Sequence, residues 1–443
     1  MTLCFCRSGK TFFSCCLNTV VHKKTTEIKN ELQRLHGSYF YFKGNNRMYT
    51  CMYPGCNKPA CGSHSMSKAS QLDKISFLDG KKKTEKKVLC IRNDVFKEGF
   101  TLETVGINNQ RLKTPLFCST HDHSFFDPLD TMGMGIMRTT ENVDIPSQLV
   151  YCSSYRSLCM TKKILETDLE KLRSSSYRKL MIIRNLVDCK EKFNLNYMNL
   201  QQHFNSIAKE TEWWIDNDIQ REQDTLQGIE NSIRHMNNHL FKEPRKSGSF
   251  FSTPKGTVIV FSMEDVPPVM VSSILCTGKT SSGNEYANSI SNIILPNGKW
   301  AYVVFCPHEN EEQSLIAKQI EERMSEVYFL HNRGKNNKLS FDILFNIMAS
   351  CENVTISKQW WDTLGKETQD TLKFLMNTYN FGADSIPLVT EMVATNNLPK
   401  KNICVNYGIT YGGVYNHRHS PFIHKAREMI VSWWVGLTNQ KVR

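Results

Sequence analysis

The chain has 443 residues, more than one hydrophobic core usually serves, which excludes a minimal module and predicts two to four domains. Hydrophobic residues make up 40%, with no run of about 18 uncharged apolar residues, so no membrane span is predicted; Arg7 and Lys10 break the short N-terminal apolar stretch and no small-residue cleavage site follows, which predicts a cytoplasmic protein. The net charge of +12 is uneven, because residues 1–130 carry 20 Lys/Arg against 11 Asp/Glu, a balance suited to holding phosphate backbones.

In a reducing compartment, sixteen cysteines point to metal rather than to disulfides. The opening stretch MTLCFCRSGKTFFSCC holds Cys4, Cys6, Cys15 and Cys16. Four thiolates enclose Zn²⁺ tetrahedrally, and the metal supplies folding free energy that so short a segment does not obtain from burial. The spacing Cys-x-Cys, eight residues, Cys-Cys, with a Ser8-Gly9-Lys10 turn and an aromatic at Phe12 or Phe13, resembles the SEC-C motif. That motif is a small zinc knuckle found at the tail of the SecA translocation ATPase and appended to many bacterial proteins. The resemblance implies a module that docks to a protein or to the ribosome and performs no chemistry. Arg7 stands where the family usually has glycine, and Leu17 where glycine is common.

Farther along, HKKTTEIKNELQRL carries Ile28, Leu32 and Leu35 at helical spacing. GSYFYFKGNNRMYTCMY alternates aromatic and polar residues around Gly44-Asn45-Asn46, as a hairpin would. It leads into CMYPGCNKPACGSHSMSK, joined at long range by FCSTHDHSFF. Cys51 and Cys56 fit a zinc knuckle; Cys118 and His121, spaced Cys-x2-His, fit the first turn of a helix. Cys61 is either a substitute ligand or a bystander. The run Lys81-Lys82-Lys83-Thr84-Glu85-Lys86-Lys87 is either a phosphate-contacting element or a solvated loop tip. Knuckle plus helix is a treble clef, and here the chain resembles HNH-type endonucleases. The resemblance implies that His64 deprotonates water, and that Asp122, in the helix position, binds one Mg²⁺ or Mn²⁺ beside the scissile phosphate. Ser63 replaces the acidic residue that generally precedes the histidine, and Phe125 stands where a His or Lys is found, so Asp127 or Asp130 would have to assist.

From about Leu149 to Phe241 glycine and proline are almost absent and Leu, Lys, Glu, Gln and Arg are frequent, which predicts long helices folding back at CKEKFNLNYMN as an antiparallel pair. Trp213 and Trp214 read as seam-packing residues. The basic, Pro- and Gly-containing KEPRKSGSFFSTPKG marks a boundary. Beyond it, GTVIVFSMEDVPPVMVSSILC is rich in β-branched residues, and NIILPNGKWAYVVFCP reads as a hairpin turning at Pro296-Asn297-Gly298. Helix-like stretches follow. The isolated Cys159, Cys189, Cys276, Cys306 and Cys351 read as small buried hydrophobes, and GITYGGVYNHRHSPF, with His417 and His419, as a tight loop. The motifs taken together also resemble a broad group of bacterial proteins often met among phage-defence genes.

The fold class is therefore α+β and multidomain, with two small zinc-binding modules, a long helical hairpin or arm and a C-terminal α+β domain. The boundaries are 1–20, 37–140, 141–245 and 250–443. Two functions compete. One is a nucleic-acid-binding, HNH-like nuclease with two structural Zn²⁺; the other is a non-catalytic docking scaffold for a protein or ribosomal partner. An active site without a known motif in 250–443 is a third option. The long amphipathic helices fit either a homodimer or a self-packed hairpin, which use the same pattern.

Overall fold

The computed structural model describes most of residues 3–34, 49–130, 147–240, 256–315 and 347–373. The predicted hairpin turn at Gly44-Asn45-Asn46 and the loop with His417 and His419 lie outside the described residues. The chain is α+β, and its described part divides into two compact units.

The first unit draws on ranges 1–46 and 164–224. It contains the four-cysteine loop, which ends in a helical turn, Phe13–Leu17, together with the whole of α3 (Ser175–Phe193) and parts of α2 (Ser147–Arg173) and α4 (Tyr197–Leu240). The break between α3 and α4 falls inside the predicted CKEKFNLNYMN. A second break, at Ser174, divides the arm into three helices rather than two. Serine ends one helix and starts the next: the Tyr177 N–H donates to Ser174 Oγ at 3.1 Å, satisfying a free donor of the new first turn. Leu172, Tyr177 and Ile215 form a buried core here, with Met181 and Ile219 packed against it. Trp213 is exposed and Trp214 half-buried, their rings edge to face at 4.5 Å.

The second unit, from ranges 47–163 and 225–416, contains all the described strands. A two-stranded antiparallel pair joins β1 (Cys61–His64) to β5 (Lys113–Phe117), after which α1 (Ser119–Asp130) begins. Between β1 and β5 the chain contributes β2 (Phe77–Asp79), β3 (Lys82–Asp94) and β4 (Gly99–Gly106) to a larger sheet. That sheet continues with β6 (Gly256–Met263), β7 (Val269–Lys279), β8 (Glu285–Ile294), β9 (Trp300–Pro307) and β10 (Val354–Ile356), in the order β2-β3-β10-β7-β8-β9-β6, with β4 on the other edge of β3. Its pairings among the described residues are all antiparallel. One sheet thus takes strands from both sides of the helical segment. Of the lysine run, Lys82 to Lys87 lie at the start of β3, where Lys82 pairs with Asp79 at the end of β2, and Lys86 reaches Asp73 at 3.2 Å. The predicted hairpin is β8–β9; Gly298, at φ 80°, adopts the left-handed conformation its turn needs.

Strands β8 and β9 are buried along almost their whole length; in β9 the buried residues are mostly apolar, while in β8 they include the polar Glu285, Asn288 and Asn292. Small hydroxyl residues let helices approach this sheet: Ser157 Oγ lies 2.9 Å from Ser272 Oγ, Ser291 donates to Ser153 at 2.9 Å, and Ser232 bonds the Ala287 backbone. After β10, α5 (Lys358–Thr363) starts behind Ser357, whose hydroxyl accepts the Trp360 N–H. Cys159, Cys306 and Cys351 are buried; the side chains of Cys189 and Cys276 lie outside the described residues. No described helix is long and apolar enough to cross a membrane.

Candidate metal centres

The first cluster is built by one short segment, a loop and the helical turn Phe13–Leu17. The Cys4 N–H donates to the Lys10 carbonyl at 2.8 Å and the Arg7 N–H to the Cys4 carbonyl at 3.0 Å, so the chain turns back at Arg7-Ser8-Gly9. Gly9 takes φ 73° without penalty, whereas Arg7 holds φ 59°, a conformation that costs a non-glycine residue about 1–2 kcal/mol. The turn after Phe13 then brings Cys15 and Cys16 beneath it. All four cysteines are buried. Sulfur separations are 3.3 Å for Cys4 and Cys16, 3.3 Å for Cys4 and Cys6, and 3.5 Å for Cys6 and Cys15. The Ser8 hydroxyl lies 3.2 Å from both Cys6 and Cys15.

The second cluster combines distant segments. Gly55, at φ 74°, turns the Cys51–Cys56 knuckle, which closes through Cys51 N–H to Lys58 carbonyl at 2.9 Å and Cys56 N–H to Tyr53 carbonyl at 3.0 Å. The Met52 N–H donates to the Leu116 carbonyl at 2.8 Å and fastens the knuckle beside β5. Cys118 precedes α1, its carbonyl accepting the Asp122 N–H at 2.8 Å, and His121 falls in the first turn. His121 Nδ1 stands 3.5 Å from Cys51 Sγ and 3.4 Å from Cys118 Sγ, with Cys56 and Cys118 sulfurs 3.9 Å apart. The Tyr53 ring stacks on the imidazole at 3.8 Å between centroids.

In both clusters the four ligand atoms lie within 4.8 Å of one another. A tetrahedral zinc ion, with bonds of about 2.3 Å to sulfur and about 2.0–2.1 Å to nitrogen, would set sulfurs about 3.8 Å apart and sulfur from nitrogen about 3.6 Å. The second cluster meets these spacings, and the first is tighter by a few tenths of an ångström. Hydrogen bonds from Cys16 and Cys4 pull the Cys6 thiol far down, while the same contacts with Cys4 and Cys6 push Cys16 far up. A metal bound by these four sulfurs would take the place of their protons. In the second cluster burial pushes the Cys51 thiol up to about 11. Both donor sets suit a metal that accepts sulfur and imidazole ligands. Cys61, on β1, stands outside this group of four.

His64 and Asp122 belong to neither cluster. His64 Nε2 faces the Ile107 carbonyl at 3.2 Å, and burial holds its imidazole below the ordinary value. Burial raises the Asp122 carboxyl, with the nearby Ser63 hydroxyl pulling the other way, although neither Ser63 Oγ nor Asp122 Oδ1 completes a hydrogen bond among the described residues. No described hydrogen bond or ion pair joins His64 to Asp122. Asp130 is engaged by Arg156, at 3.0 and 3.2 Å, and Phe125 is a core residue packed edge-on against Tyr53, Phe126 and Tyr155. Sequence reasoning missed Arg156, which sits on the Phe126 ring at 4.2 Å, because no motif links it to α1.

The depressed His64 value has a measurable consequence. The unfolded chain takes up this proton first, so the stability that His64 contributes is present above its unfolded value, about 6.5, and is lost as pH falls below it. Denaturant titrations at about pH 7.5 and about pH 5 should therefore show a smaller acid-induced loss for His64→Gln than for the native chain; equal losses would contradict the burial described here. Set beside protein-family models, curated proteins and solved structures, the chain has no match in any of the three.

Proposed function

We propose that the chain is a zinc-stabilised docking protein in which both metals are structural. The observation that carries this reading is closure: each cluster offers four ligand atoms packed within 4.8 Å, and a zinc ion with four protein ligands has no open position for substrate. Cys4, Cys6, Cys15 and Cys16 would hold one ion, and Cys51, Cys56, Cys118 and His121 the other. The metal supplies cross-linking in each place, fixing a loop in one and joining knuckle to helix in the other. The knuckle, the β1–β5 pair and α1 support a treble-clef arrangement for the second site.

The competing nuclease reading needs His64 and Asp122 to share a hard cation. The contacts of His64 with the Ile107 carbonyl and the lack of a described bond between the two residues favour an ordering role for His64 instead. Purified protein should contain about two zinc ions per chain and leave DNA and RNA intact with Mg²⁺ or Mn²⁺. Cleavage that disappears in a His64→Ala protein with full zinc content would replace this reading with the nuclease one.

A further inference from the structure

We infer that Arg7 turns the four-cysteine loop into a metal-dependent clasp on the helices of its own chain, an inference that rests on zinc occupying Cys4, Cys6, Cys15 and Cys16. Arg7 is the one non-glycine residue with positive φ among the described residues. Its backbone is set by the turn that gathers the cysteines: it donates to the carbonyl of Cys4 and adjoins Cys6. A loop released from its metal loses the reason to hold an arginine in this conformation.

From there the side chain reaches α4. Arg7 Nε lies 2.9 Å from Glu212 Oε1, and Nη2 lies 2.7 Å from Asp216 Oδ2. Glu212 and Asp216 are four residues apart and so share one helix face. Asp216 also accepts from Arg178 of α3 at 2.6 Å, a guanidinium only 3% exposed. Two carboxylates and two guanidiniums thus tie the loop, α3 and α4 into one balanced group. Both hydrogen bonds of Arg7 are charge-assisted and directional, yet its side chain is half-exposed, so the contact is reversible and sensitive to salt. The occupant of this acidic pair is accordingly the chain's own N-terminal loop, and losing the metal uncovers Glu212 and Asp216.

Amide hydrogen exchange on the full-length, zinc-loaded protein tests this. Arg7→Gly removes the guanidinium while accepting the same φ without strain. It should keep about two zinc ions and exchange about three- to tenfold faster across residues 205–222 of α4, with the difference shrinking in high salt. Cys4→Ser combined with Cys6→Ser should give the same acceleration with one zinc lost, whereas Cys56→Ser, which empties the other site, should not. Glu212→Gln should also speed exchange there, and Arg7→Gly added to Glu212→Gln should speed it by less than Arg7→Gly does in the native chain. Native-like exchange in Arg7→Gly, full additivity of Arg7→Gly with Glu212→Gln, or zinc loss from Arg7→Gly would each overturn the clasp. A native chain that lacks zinc at the first site would instead sink the zinc reading, and normal α4 protection in such a chain would overturn the metal dependence.

Discussion

A chain carrying Cys118→Ala should bind one zinc ion rather than two and should lose the ordered structure around α1. Cys118 joins the two halves of the second cluster: its sulfur lies 3.9 Å from Cys56 and 3.4 Å from His121 Nδ1, and its carbonyl accepts the first hydrogen bond of α1. Structural zinc contributes about 10–16 kcal/mol in isolated finger peptides, comparable with the whole stability of a typical domain, about 5–15 kcal/mol. The expected result is therefore unfolding of the knuckle and α1 at room temperature, more than a shifted midpoint. Elemental analysis of zinc and exchange of amides 113–130 would measure it. Two zinc ions and native protection in the variant would remove the second cluster from consideration as a metal site.

The second large effect is expected at Phe126. Its ring is fully buried, 4.7 Å from Phe117 and 4.8 Å from Phe125, and Arg156 lies on its face. Phe126→Ala leaves a cavity behind the metal site and should lower unfolding free energy by about 3–5 kcal/mol. It also removes the apolar support of a guanidinium 3% exposed, which the Asp130 carboxylate alone then neutralises. Chemical denaturation monitored by far-UV signal would read the loss. Zinc content near two, with the midpoint lowered, is the pattern of a core defect that leaves the ligands in place; an unchanged midpoint would show that the aromatic group under α1 is not structural.

Both clusters were legible in the sequence because ligand spacing is a local record. Cys4 to Cys16 fold through turns whose glycine and serine are visible, and Cys118 with His121 carries the one-turn spacing of a helix. The α+β class was legible too, from the change between helix-forming residues after Leu149 and β-branched ones after Gly256. Sheet topology was not. The pairing of Thr355 with Cys90 and Met270 leaves no trace in any short window, so β2 to β4 gave no sign of joining β6 to β10. The lysine run gave no sign of a strand for a related reason: its charge speaks only of solvent, while Val88 and Leu89 just beyond it supply the burial that holds β3 in the sheet. Ser174 escaped notice because a serine break is weaker punctuation than glycine or proline. His64 and Asp122 came from a pattern of residue types, and such a pattern carries no information about whether two side chains turn toward each other.

The three residues of β10 have a consequence for how the protein is made. Val354–Ile356 fill the gap between β3 and β7, pairing with both, although β3 is synthesised long before them. Until that late strand emerges, β3 and β7 each present an unpaired edge, and open edges recruit strands from neighbouring nascent chains. Products that stop short of residue 354 should consequently collect in insoluble material during expression, while those that include α5 remain in the supernatant.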